Sequence, residues 1–341
     1  MFDLVRPWVV PVGCMVACMV VLFVLPPYTQ GYGATAISVF DSLTWMWKNV
    51  PEWEHGVLVP FLCAGLIFWR RERLMSMAVR GDTVPGALML AGALLFYWIG
   101  YRIDITGMGF FAVQLTLAAL IVWFLGWRWF VALLFPWAFL VFAWPLPYLD
   151  NLAFVLRIVM TTVSYHFLNL IGVDCVRVGT AIISAPDFAA GIPAGEKFQL
   201  DVADPCSGIR SLFALMMVTA LYAHVMLKKL WQQWVLFLCA APLAVVGNFG
   251  RILMLTFGTM VLGPEVAIGS EEEPSAYHMA SGFAVFAIAL GGMVGIGWIL
   301  EDSNRQRMVS WVRDKVAGLR AAEEEKGKAT SGNDDGRQDR Y

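Results

Sequence analysis

Long apolar blocks alternate with short polar punctuation along this chain. Eight blocks, at about residues 8–25, 56–69, 84–101, 108–125, 128–145, 207–227, 231–262 and 279–300, read as spanning helices. Most approach the roughly 20 residues a helix needs to cross the hydrocarbon of a membrane. The second is short at its basic end. The seventh is unusually long and contains Pro242, Gly247 and Gly250. A kink or a break is expected there, because proline removes an intrahelical hydrogen bond.

The block 149–171 has a different pattern. Leu152, Val155, Leu156, Val159, Val163, Phe167 and Leu170 fall on one helical face, and Asp150, Asn151, Arg157, His166 and Asn169 interrupt the remainder. That spacing predicts an amphipathic helix lying in a membrane interface. Residues 172–205 alternate weakly between apolar and polar, with Pro186, Gly191, Pro193 and Gly195 as punctuation, and predict a small β-hairpin. From about residue 303 the chain is charged, and its end, Lys326 to Tyr341, has a composition that predicts disorder. The expected architecture is an all-α polytopic membrane protein with about eight transmembrane helices. Residues 1–302 form the membrane unit, 172–205 an insert on the outer side, and 303–341 a tail.

Composition agrees with the pattern. The 341 residues are 59% hydrophobic and 15% charged, against about 25% charged in soluble domains. Fifteen tryptophans suit a chain with membrane interfaces to occupy. A net charge of −2 says nothing about nucleic acid, and nucleic acid is not among the expected partners. The N-terminal block has no small-residue cleavage site before Pro26-Pro27-Tyr28 and reads as a retained helix rather than a signal peptide.

Charge placement sets the orientation. Arg70, Arg71, Arg73 and Arg80 follow the second block, Lys228 and Lys229 the sixth, and Arg305, Arg307, Arg313, Lys315 and Arg320 the eighth. The positive-inside rule makes all three clusters cytoplasmic. The count closes only if 149–171 lies on the outer surface instead of crossing. Both termini are then cytoplasmic.

This topology brings three polar residues to one outer layer. Cys206 precedes the sixth span, His278 starts the eighth, and Arg251 lies 22 residues beyond Lys229, which is about 33 Å of helix. A neighbouring cation favours the thiolate form of a cysteine. An imidazole can protonate a leaving amine. An arginine inside a spanning block is costly to hold and can steady an oxyanion or carboxylate. Singly, each has a plain structural reading, as a helix-start cysteine, a snorkelling arginine and an interfacial histidine. Asn248 stands one turn before Arg251. His55, at the outer mouth of the second span, is the rival histidine. His166 falls on the polar side of the interfacial helix, and His224 lies too near the cytoplasmic end. Cys14, Cys18, Cys63 and Cys239 sit inside apolar blocks. A Cys175–Cys206 disulfide is an alternative that would block the thiol. No metal-ligand spacing or phosphate loop occurs, so neither metal nor cofactor is expected.

Four segments carry a resemblance. Cys206-Ser207-Gly208-Ile209-Arg210-Ser211-Leu212, Asn248-Phe249-Gly250-Arg251-Ile252, His278-Met279-Ala280-Ser281-Gly282-Phe283 and His55-Gly56-Val57-Leu58-Val59-Pro60 resemble the motifs of the exosortase/archaeosortase family of membrane-embedded cysteine transpeptidases. The resemblance spans about residues 45 to 300. Phe249-Gly250 between Asn248 and Arg251, and Pro205 before the cysteine, depart from the family pattern. The resemblance implies an enzyme of the bacterial inner membrane. Its partners would be membrane lipids and secreted proteins ending in a PEP-CTERM-like signal: a short motif, a transmembrane helix and a basic tail. Cys206 would form a thioester, His278 would act as acid/base, and Arg251 would stabilise charge. Asn248, His55, Ser207 and Arg210 are candidate supporting residues. A surface acceptor, often tied to extracellular polysaccharide, would take the acyl group. Two other readings stay open: an endopeptidase that releases its product to water, and a non-enzymatic carrier or assembly component for extracellular polysaccharide.

Overall fold

The computed structural model describes residues 7–29, 37–145, 149–201, 209–269 and 275–302, with isolated positions as far as 313. The first helix, α1 (Val9–Phe23), is apolar throughout. A two-stranded antiparallel ribbon, β1 (Pro27–Thr29) with β2 (Ile37–Ser38), leads into α2 (Val39–Asn49). Ser38 caps α2 by accepting the Asp41 N–H at 3.1 Å, which satisfies one of the helix's orphan donors. A 3-10 turn, Pro51–Val57, carries His55 into α3 (Leu58–Trp69). After the short α4 (Arg71–Met75), α5 (Thr83–Arg102) and α6 (Thr106–Phe124) form a closely packed hairpin.

The expected span at 128–145 is not one helix. It is divided into α7 (Trp127–Ala132), α8 (Leu134–Phe139) and a 3-10 turn, Leu140–Ala143. Pro136 explains the division: it has no N–H to give the carbonyl of Ala132, four residues back, and α7 ends at that residue. Gln114, buried within α6, steadies the broken segment. Its amide donates to Trp137 O at 2.9 Å, the Trp137 indole donates to Gln114 O at 2.9 Å, and the Trp144 indole donates to Gln114 Oε1 at 2.5 Å.

The chain then forms α9 (Leu149–Leu170) and a three-stranded antiparallel sheet, β3 (Cys175–Val178), β4 (Ala181–Ser184) and β5 (Gln199–Asp201), in that order. Next come α10 (Ile209–Met226) and α11 (Leu230–Leu262). Met160 and Leu168 of α9 share a buried cluster with Cys175, Ile182 and Leu200 of the sheet and Ile252 and Leu255 of α11. Thr161 donates to Thr180 O at 3.2 Å, and Arg177 to the Thr162 hydroxyl at 2.6 Å. Val155, Val159, Val163 and Leu170, from the apolar face expected for this helix, are exposed. The helix is therefore apolar on two sides: one packs on the protein and the other faces outward.

Of the kink or break expected in α11, the break does not occur. The helix runs for 33 residues through Pro242, about 50 Å. Gly247 serves close packing instead of unwinding: a Cβ there would lie 3.1 Å from Val285 Cγ1. A short turn of helix, α12 (Pro264–Ala267), precedes α13 (Ala276–Leu300), which contains Val285. Among the described residues, α5, α6, α11 and α13 are long and apolar enough to cross a membrane; α1, the Leu134–Ala143 segment and Ser211–Met226 of α10 are shorter apolar helices.

One end of the bundle is tied together by polar contacts. Arg70, closing α3, lies 2.8 Å from the His224 ring near the end of α10. Lys229, starting α11, pairs with Asp302, just beyond α13, at 2.8 Å, and Gln232 donates to Leu300 O at 2.7 Å. The basic segments after α3 and α10 therefore share one end of the molecule. Phe135 stacks on His224 at 3.5 Å, which gives that histidine a packing role.

Candidate active site at the far end of the bundle

The Lys229–Asp302 pair sets α11 and α13 to a common level. Arg251 is 22 residues from Lys229, and His278 is 24 residues from Asp302. At 1.5 Å per residue these are about 33 and 36 Å of helix, just beyond the ~30 Å hydrocarbon thickness. Both residues therefore sit at the opposite membrane boundary.

Local structure fixes each of them. Ser275 caps α13 by accepting the His278 N–H at 3.0 Å, which places His278 in the first turn. The Ser281 hydroxyl donates to His278 O at 2.8 Å. Tyr277 donates to Met254 O at 2.8 Å and pins the start of α13 to α11. His278 is 7% exposed, and its Nδ1 is buried without a hydrogen-bond partner among the described residues. The Arg251 charge lies within electrostatic reach of this ring. Opposite the guanidinium stands Gly282: a Cβ there would lie 3.4 Å from Arg251 Cζ.

A cavity of about 30 Å³ opens between the three helices. Ser211 and Leu215 of α10, Asn248 and Arg251 of α11, and Gly282 of α13 line it. It has room for one water-sized group. Asn248 is buried, at 4% exposure. Ser211 follows Cys206 by five residues, so the helix that begins after the cysteine runs directly to the Arg251 cavity. Cys206 and Ser207 lie outside the described residues, as does the Arg210 side chain.

His55 meets the other side of α10. Its ring is stacked on Phe213 with centroids 6.2 Å apart, and Trp53 contacts the same ring at 5.8 Å. Burial holds the His55 imidazole below its usual pKa, although backbone hydrogen bonds at Glu52 and Phe142 pull the other way. Its Nε2 is buried without a hydrogen-bond partner among the described residues. The structure thus brings Arg251, His278 and Asn248 together at one face of α10 and places His55 at another. Trp53, Phe213, Ser211 and Tyr277 were not marked by the sequence reading; of these, Ser211 alone lay inside a recognised motif.

His166 is exposed on α9. Cys175 is a buried thiol, hydrogen-bonded to Asn169 Nδ2 at 3.2 Å. Burial raises its pKa, and the Asn169 contact offsets part of the rise. Among the described residues, no three His, Cys, Asp or Glu side chains gather as a metal site.

The fold and this cluster define a class: a multi-pass helical membrane protein with a cation, an imidazole and a carboxamide held at one membrane boundary. A family model described as transmembrane exosortase matches residues 47–295, and the chain belongs to that family of membrane protein-sorting enzymes. No curated protein and no solved structure matches the chain.

Proposed function

We propose that this protein is a cysteine transpeptidase that removes the C-terminal sorting signal of secreted proteins at the outer face of the bacterial inner membrane. The observation that supports this most directly is the convergence of α10, α11 and α13 on the Arg251 cavity, with His278 beside it and the Cys206 motif at the entry to α10. Residues 1–302 are the membrane unit and 303–341 its cytoplasmic tail. The basic end faces the cytoplasm.

The reaction follows from the groups. The Cys206 thiolate attacks the scissile carbonyl, forming a C–S bond and an oxyanion that Arg251 stabilises. The C–N bond breaks as His278 delivers a proton to the departing amine, leaving a thioester. An acceptor nucleophile attacks the thioester, gives up its proton to His278, and restores the thiolate. Asn248 orients Arg251 across one helical turn. Ser207, Arg210 and His55 are supporting candidates, His55 acting through Phe213 on the helix that follows the cysteine.

The test is co-expression with a secreted protein carrying a motif, a transmembrane helix and a basic tail. Wild type is compared with Cys206→Ala, Arg251→Ala and His278→Ala at matched enzyme levels, and the new C-terminus is weighed. Tail loss with wild type alone supports the thioester route; tail loss that survives Cys206→Ala overturns it. A conjugated terminus identifies transfer, and a free acid identifies hydrolysis.

A further inference from the structure

A second feature lies at the other end of the molecule. Between α1 and α3 runs a groove of about 560 Å³, within the usual range of small-molecule sites. Its apolar walls include Met15, Cys63, Leu117, Ile121, Trp129 and Leu140. α1 rests on α6, whereas α3 rests on α8 and the Leu140–Ala143 turn, so the groove separates two helices that are held to the bundle independently.

Polarity is confined to one end. Arg71 stands at the mouth, beside Arg70 and Arg73. Its guanidinium lies 4.2 Å over the Phe68 ring and donates to Phe68 O at 3.3 Å, using one of five donors. Trp8 lines the same end.

The depth is also informative. From Arg71 back to Cys63 is eight residues of chain, as is Leu125 to Leu117, and all four line the groove. Each stretch covers about 12 Å of helix, close to half of a ~30 Å hydrocarbon core. The groove therefore begins at the basic boundary and ends near the membrane midplane. A ligand that suits it has one anionic head and an apolar tail one leaflet long.

We propose that this groove is a binding site for an anionic phospholipid of the leaflet on the basic side, its acyl chain between α1 and α3 and its phosphate on Arg71. The bound lipid fills the space between the two helices and secures α1 to the bundle. The site is independent of the sorting reaction.

The test uses the full-length protein in detergent with added phosphatidylglycerol or phosphatidylcholine, read by native mass spectrometry and thermal unfolding. Wild type should retain phosphatidylglycerol about fivefold better than phosphatidylcholine, the preference one basic contact supports, and should unfold at a higher temperature with it. Arg71→Ala should reduce that preference, while Arg71→Lys should keep most of it. Ala64→Phe, which adds a ring to the groove wall, should remove retention of either lipid; Arg71→Gln repeats the charge test if the alanine variant does not fold. Equal retention of the two lipids by wild type overturns the proposal. So does a phosphatidylglycerol preference that persists unchanged in Arg71→Ala, Arg71→Gln and Ala64→Phe.

Discussion

A Cβ at residue 282 would meet the Arg251 guanidinium at 3.4 Å, an ordinary van der Waals contact, so Gly282→Ala is accommodated and atoms beyond Cβ are not. Displacements near 1 Å can cost 10²-fold in rate, so Gly282→Leu, which pushes the guanidinium aside, should lower signal cleavage by about tenfold or more while Gly282→Ala keeps most of it. Comparing product formation and unfolding temperature for the two variants and wild type checks this. His55 gives a second outcome. Its folded-state pKa is depressed mainly by burial, so the fold favours the neutral ring. The stability this contributes is present above the unfolded value of about 6.5 and is lost as pH falls through the folded one. Between pH 7.5 and pH 5, wild type should lose more thermal stability than His55→Gln, whose side chain does not titrate. Arg251 and His278 were legible in the sequence because ionisable groups stand out in apolar blocks. The Trp53–Phe213–His55 stack was not, because aromatic residues in a membrane chain carry no mark of which neighbour they will meet.

At the level of elements, the sequence pattern located helices better than it located their interruptions. Pro136 and Pro242 present the same local defect, yet α8 begins anew around the first while α11 continues through the second. The difference is in the surroundings. α11 is supported along its length by α10 and α13, whereas the 128–145 segment leans on Gln114 through two indoles and a carboxamide. Gln114→Leu should therefore destabilise the protein by several kcal/mol, since it leaves Trp137 O and the Trp144 indole unpaired at roughly 1–3 kcal/mol each. Chemical or thermal unfolding of the purified variant measures this. α9 was legible as a helix, but its pattern did not distinguish the face against the protein, with Met160 and Leu168, from the outward face, with Val155, Val159 and Val163, because both are apolar.

The whole molecule has two differently charged ends, and its orientation is open to direct measurement. If the basic end is cytoplasmic, a cysteine placed at exposed Phe188 in the sheet region reacts with a membrane-impermeant thiol reagent in intact cells. One placed at Lys228 reacts only after the membrane is opened. Phe188→Cys and Lys228→Cys, each compared with the wild-type background, should give opposite labelling patterns; the reverse pattern would invert the topology. The basic residues after the second and sixth blocks set both at one level in the sequence, and the Arg70–His224 contact at 2.8 Å joins the ends of α3 and α10. Three-dimensional convergence at Arg251 was readable only because helix length converts residue number into height.

That conversion reaches beyond the protein itself. With α11 and α13 moored at one surface by Lys229 and Asp302, Arg251 and His278 stand at a fixed elevation above it. On the proposed function, a substrate anchored by its own membrane helix would be measured as well as read. The bond offered for attack would be the one its anchor holds at that height, and the protein would act as a depth gauge whose zero mark lies on the other side of the membrane.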